Sequence, residues 1–283
     1  MIDLNASSQR SLSDRLVVFA SYGIALLIAL ICVLPFVYAL SVALRPPQEL
    51  FADSLYLIPK EPTFEAVTTA FDRLQESLVN SIIISTGTMI LSLIIVIPSA
   101  YVFGRLDFKG KRTVFYAVLL IIMFPFILLI IPISETWHRL GLWNTIPGLW
   151  ISYQIFVAPF AIWILRDYFA KLPMNLEESA QIYGCSPFTA FVRVILPLAA
   201  PAIVAVAFLA FLTAWNDFLM SSMLTTGTGP RPAVVDLYLT IHGTDASTSW
   251  ALILSETLIV GTPPTVLYLL SRKSLSKSFE MSD

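Results

Sequence analysis

Charge is scarce in this chain: Asp, Glu, Lys and Arg make up 13% of its 283 residues, where a soluble domain carries about a quarter. Histidine occurs only at His138 and His242, and cysteine only at Cys32 and Cys185. Neither pair has metal-ligand spacing, and one cysteine falls in an apolar run and the other in a polar loop, so neither a metal site nor a disulfide framework is expected. No Gly-x-Ser-x-Gly is present, and no catalytic constellation can be assembled. Gly110-Lys111-Arg112-Thr113 has the Gly-Lys of a P-loop without its upstream glycine or spacing, so nucleotide chemistry must come from another chain. Low-complexity segments and internal repeats are also missing, which removes support for an inverted-repeat transporter.

Apolar residues are abundant: 57% of the chain, with a mean hydropathy of +0.80. Runs long enough for a 30 Å hydrocarbon core, which takes roughly 20 helical residues, cover about 16–40, 80–103, 114–134, 149–168, 199–221 and 250–270. The expectation is an all-α polytopic membrane protein with six spans in one transmembrane domain, 1–283. The first run is too long for a secretory signal and has no persuasive cleavage site, so it reads as an uncleaved helix.

Lys and Arg set the orientation. With the N-terminus inside, Arg10, Arg15, Arg105, Lys109, Lys111, Arg112, Arg166, Lys171, Arg193, Arg272, Lys273 and Lys277 are cytoplasmic. Only Arg45, Lys60, Arg73, Arg139 and Arg231 lie outside. Both termini and the loop 170–198 are therefore expected in the cytoplasm.

The outer segment 41–79 is expected to hold a short helix capped by Thr63, with Glu65 in its first turn and Phe64, Val67 and Phe71 at helical spacing. The outer loop 222–248, with Gly227, Gly229, Pro230 and Pro232, is expected to be irregular and open to a soluble partner. Pro98, Pro125, Pro159, Pro263 and Pro264 fall inside spans, where each tends to kink its helix. Together they favour a bundle around a cavity.

The cytoplasmic loop carries the densest local signals. Pro173 stops one helix, Asn175 can cap the next, and Glu177 and Glu178 meet its positive end. A helix over about 176–183 then meets Gly184, a left-handed stop, and Ser186-Pro187 starts a second helix with Phe188, Phe191, Val192 and Ile195 on an apolar face.

Glu178-Ser179-Ala180, Gly184 and Val194-Ile195-Leu196-Pro197 closely resemble the EAA signature of importer permeases in the ABC transporter superfamily. Ser179 replaces the first Ala of that pattern, Val194 replaces Ile, and Tyr183 stands where an Asp commonly precedes the Gly. Ala214-Trp215-Asn216-Asp217-Phe218-Leu219, Ile58-Pro59-Lys60-Glu61-Pro62-Thr63, Asn80-Ser81 and Phe103-Gly104-Arg105 are similar to the carbohydrate, maltose-permease-like branch. The resemblance implies a type I importer fold in a prokaryotic cytoplasmic membrane. It implies a second permease subunit, two cytoplasmic ATPases that hold ATP and Mg, and an extracytoplasmic sugar-binding protein. No cofactor is then bound by this chain, no nucleic acid is involved, and the substrate is a carbohydrate. Glu177, Glu178, Ser179, Ala180, Tyr183 and Gly184 become the expected ATPase-coupling residues. A permease for glycerol phosphate or a similar polyol-like solute is the alternative, against which stands the absence of clustered intramembrane Arg or Lys; an intramembrane enzyme is the remote one.

Two carboxylates, Asp217 and Glu256, fall inside expected spans, where an ionised group costs several kcal/mol unless hydrated or paired. Thr213, Asp217 and Ser221 follow at i, i+4 and i+8, with Trp215 and Asn216 beside them. Amide, hydroxyl and aromatic groups suit a sugar, so these five residues and Glu256 are the expected solute path. The alternative for Asp217 is capping or pairing within the bundle, and for Trp215 an interfacial anchor.

Overall fold

The computed structural model describes residues 12–46, 49, 58–227, 229–243 and 249–280, and side chains within them from 18 to 272. Arg10, residues 50–57 and 244–248, and the side chains of Arg15, Lys273 and Lys277, all used in the orientation and outer-loop readings, lie outside that description. Among the described residues every long element is helical. They run α1 Leu12–Ala43, α2 Glu65–Arg105, α3 Lys111–Met123, α4 Ile127–Leu140, α5 Ile146–Lys171 and α6 Asn175–Ile182. After these come α7 Pro187–Ala190, a π turn Phe191–Ile195, α8 Leu196–Leu198, α9 Ala200–Asn216, α10 Leu219–Leu224, α11 Ala233–His242 and α12 Trp250–Glu280.

Four helices, α1, α2, α5 and α12, are long and apolar enough to cross a membrane. Two bent pairs raise the number to six: α3 with α4, bent by 101°, and the α7–α8 stretch with α9, bent by 75°. The expected span 114–134 is thus two helices parted at Phe124-Pro125-Phe126. Pro125 has no amide hydrogen to continue α3, and Phe124 is extended at ψ 130°. The expected short helix near 63–71 is instead the start of the 41-residue α2. Thr63 opens it as anticipated, its hydroxyl accepting from the Glu65 amide at 3.3 Å. Pro98 and Pro159 sit within α2 and α5 without ending them.

The chain divides into two compact units, 1–70 with 247–258 and 71–246 with 259–283. In the first, α1 is exposed along its apolar length, as at Leu27, Leu30, Ile31 and Leu34, until Ser41, Val42 and Ala43, which are buried. Arg45, buried beyond that end, donates to Ser41 Oγ at 3.1 Å.

In the second unit, α2, α3, α5 and α9 share one core. Val96, Ala100 and Phe103 meet Phe115, Ala161, Leu165 and Phe169, with Ile195, Ala202, Val206 and Ala210 behind them. Lipid is as apolar as leucine, so burial alone does not bind membrane helices; small residues that permit close packing do. Gly104 is such a point, since a Cβ there would lie 2.9 Å from the Arg166 carbonyl oxygen on α5. Ser92 on α2 donates to Gln154 Oε1 on α5 at 2.8 Å, an interhelical bond worth about 0.6 kcal/mol in such a setting.

The loop expected over 222–248 is more ordered than glycine and proline implied. α10 and α11 occupy much of it, because Val234 and Leu237 pack on Leu74, Leu78, Phe211 and Trp215. The Ala233 amide donates to buried Ser81 Oγ at 2.8 Å, tying the start of α11 to α2.

Candidate functional site

Asn175 does not cap α6. It is the first helical residue, and Met174 occupies the cap position with no side-chain bond. The helix end follows the sequence: Gly184 adopts φ +87°, and the amides of Gly184 and Cys185 donate to the carbonyls of Gln181 at 2.9 Å and Ala180 at 3.0 Å. That pair satisfies carbonyls a helix end leaves open. Ser186 then caps α7 through its Oγ, which accepts from the Thr189 amide at 3.2 Å, with Pro187 opening the helix. The chain after it departs from the simple apolar face: the π turn at Phe191–Ile195 adds a residue to the turn. Ile195 is buried and Phe191 packs on the core, whereas Phe188 and Val192 face outward, Phe188 being 75% exposed.

The two glutamates of α6 separate sharply. Glu177 turns inward and accepts from Arg105 Nε at 3.2 Å, with the side chains only 12% and 1% exposed. Arg105 also donates to three carbonyls at the end of α5, those of Leu172 at 2.5 Å, Pro173 at 3.1 Å and Phe169 at 3.5 Å. One guanidinium thereby joins α2, α5 and the elbow, using the planar donor fork that lysine lacks. Glu178 and Ser179 are exposed and Ala180 is half-buried. Around them lie Met174, Ile182 and Tyr183, the last two 83% and 89% exposed. Glu178 is thus the one exposed acid of α6, beside three exposed apolar side chains.

The carboxylate region is built differently from the expected stripe. α9 ends at Asn216, and Asp217 is extended at ψ 125°, so Thr213, Asp217 and Ser221 do not share one helix. Asp217 instead begins α10: its carboxylate accepts from the amides of Ser221 at 2.9 Å and Met220 at 3.4 Å. Tyr153 on α5 donates its hydroxyl to the same carboxylate at 3.0 Å. Thr213 Oγ1 donates to the Leu209 carbonyl at 2.9 Å, and buried Ser221 donates to the Asp217 carbonyl at 2.9 Å. Trp215 is buried in the core, 1% exposed, and donates to the Val260 carbonyl at 3.1 Å. Asn216 is exposed, and Glu256 is fully buried on α12.

Residues 96–274 match the family model described as binding-protein-dependent transport system inner membrane component. The chain belongs to that family. The permease is 39% identical over 194 residues to the trehalose transport system permease protein SugB of Mycobacterium tuberculosis, covering 68% of this chain and 70% of the relative. Against the trehalose/maltose transport system permease protein MalG of Thermococcus litoralis, identity is 30% over 253 residues, or 88% of this chain and 90% of the relative. Among solved structures, a chain of a bacterial ABC transporter importing the acidic polysaccharide alginate superposes with a TM-score of 0.83 at 22% identity, covering 94% of the permease and 98% of that chain. The permease is thus a multi-pass membrane transport subunit rather than an enzyme.

Three residues of the permease escape a reading of local motifs. Arg105 meets Glu177 across 72 positions of sequence, and Tyr153 meets Asp217 across 64. Ile182 ends α6 exposed, whereas Leu176 on the same helix packs on the core, a split that periodicity within eight residues is too short to resolve.

Proposed function

We propose that the permease forms half of the translocation path of an ATP-driven carbohydrate importer in a prokaryotic cytoplasmic membrane. Its elbow faces the cytoplasm, as the Lys and Arg distribution favours. There Glu178, Tyr183 and their apolar neighbours seat against one of two ATPases that bind ATP and Mg. A second permease subunit completes the path, and an extracytoplasmic binding protein delivers the sugar. The observation that carries this reading is the split between Glu177, held inside by Arg105, and Glu178, exposed on the same short helix. The carbohydrate assignment rests on the trehalose and maltose permeases among the relatives.

ATP binding closes the ATPases, the elbow moves with them, and Arg105 passes that movement to α2 and α5. Asn216, exposed where α9 ends, is the group of the Trp-Asn-Asp run best placed to meet a solute, while Asp217 holds the helix break. Co-expression with neighbouring subunits, followed by ATP hydrolysis with each sugar-loaded binding protein, tests the assignment. Glu178→Lys is expected to abolish assembly with the ATPase; a variant that assembles and transports as wild type refutes the docking role.

A further inference from the structure

A basic cavity of about 560 Å³ opens where α2 ends and α3 begins, apart from the elbow surface. Its polar walls are Lys111, Arg112, Arg166 and Asp107, and its floor is aromatic. The Arg166 guanidinium lies 5.0 Å from the Phe115 ring centroid and that of Arg112 5.6 Å from Tyr116. Arg166 pairs with Asp167 at 2.6 Å and Lys111 with Asp107 at 3.2 Å. These are solvent-accessible pairs, Asp107 being 99% exposed, and such pairs hold their charges only weakly. Arg166 Nε is buried and has no hydrogen-bond partner. Gly110, at φ +84°, gives the 13-residue α3 no side-chain acceptor for its first amides, which adds partial positive charge.

The same helix carries a second feature. A groove of about 310 Å³ is lined only by Ala117, Leu120, Ile121 and Phe124 of α3 and Leu129 of α4. Thr113, Tyr116, Ala117, Leu120 and Phe124 follow at helical spacing from the basic cavity to this groove. From Arg112 to Phe124 the helix rises about 18 Å at 1.5 Å per residue, close to one leaflet of a hydrocarbon core roughly 30 Å thick. A free phosphate would occupy only the cavity and leave the groove empty.

We propose that α3 is the binding site of an anionic glycerophospholipid in the leaflet at the elbow end. Lys111, Arg112 and Arg166 hold its phosphate, and one acyl chain lies along Ala117, Leu120 and Phe124. The site is independent of the solute carried.

Native mass spectrometry of the delipidated full chain, titrated with phosphatidylglycerol, phosphatidylcholine, inorganic phosphate and glycerol 3-phosphate, tests it. Wild type is expected to retain one phosphatidylglycerol in preference to phosphatidylcholine. Lys111→Gln with Arg112→Gln should weaken phosphatidylglycerol about thirtyfold, from roughly 1 kcal/mol per basic side chain. Ala117→Trp, which fills the lipid-facing groove without touching the basic residues, should weaken it independently. Equal retention of both lipids by wild type overturns the proposal, as does wild-type retention in both variants. Full displacement by inorganic phosphate or glycerol 3-phosphate also overturns it and makes the occupant a soluble phosphate.

Discussion

Arg105→Gln should loosen the elbow without unfolding the bundle. The guanidinium is 1% exposed and bonds Glu177 and the carbonyls of Leu172, Pro173 and Phe169. Glutamine cannot span those acceptors, and removing one partner of a buried pair costs about 3–5 kcal/mol. Glu177 is 12% exposed and can rotate toward water, which places the expected cost near the lower bound, about 3 kcal/mol. If that free energy is lost from local opening, amides of α6 and its end, including Tyr183, Gly184 and Cys185, should exchange about a hundredfold faster. Hydrogen–deuterium exchange on the purified full chain reads this directly. Glu177→Gln keeps an acceptor and loses the charge, so about tenfold is expected. Glu178→Gln, on the exposed face, should stay within about threefold. Equal protection in Arg105→Gln and Glu178→Gln refutes the latch. Acceleration spread evenly through α2 and α5 shows instead that Arg105 supports the whole bundle.

Gly184→Ala should destabilise the elbow by about 1–2 kcal/mol, because an L residue at φ +87° brings Cβ against the carbonyl; Gly184→Asn should cost less, since Asn visits that region, and equal assembly with the ATPase in wild type and the Ala variant contradicts the requirement. Asp217→Ala should lower thermal stability in detergent by about 2–3 kcal/mol, combining a lost cap with a Tyr153 hydroxyl left buried without its acceptor. Asp217→Asn can keep its one acceptor oxygen toward Ser221 and Tyr153 while losing the long Met220 bond, and should leave apparent sugar affinity unchanged; a large rise in KM with unchanged stability would make Asp217 a solute contact instead.

How much of this was legible depended on the range of the interaction. Gly184, Ser186 and Pro187 act within four residues, so the local sequence is enough to place the turn and the cap. Thr63 opened its helix as expected, but nothing local showed that this helix continues unbroken to Arg105. Pro125 announced a disturbance, and its neighbours decide that it is a 101° turn rather than a kink. The break at Asp217 has no proline or glycine. It forms because a short acidic side chain can cap a new helix and receive Tyr153 at once, and a partner 64 positions away is invisible to periodicity. The π turn was equally hidden, although its effect is large: it turns Phe188 and Val192 away from the face on which Ile195 is buried.

The elbow's dependence on distant anchors has a mechanical consequence. Eight residues of α6 are too few to hold a helix by propensity, since isolated helices below about 12–15 residues are marginal in water. Its two ends are therefore fixed from outside the helix, by Arg105 at Glu177 and by the paired amides of Gly184 and Cys185. The apolar residues Ile182 and Tyr183 stand exposed on an element already ordered, so a partner that seats there spends little of its binding free energy on folding the elbow. The same anchors make displacement of α6 inseparable from strain at the ends of α2 and α5, because one guanidinium bonds all three. A lysine at position 105 would keep the charge and lose the fork, leaving an elbow that can dock yet slip against the bundle.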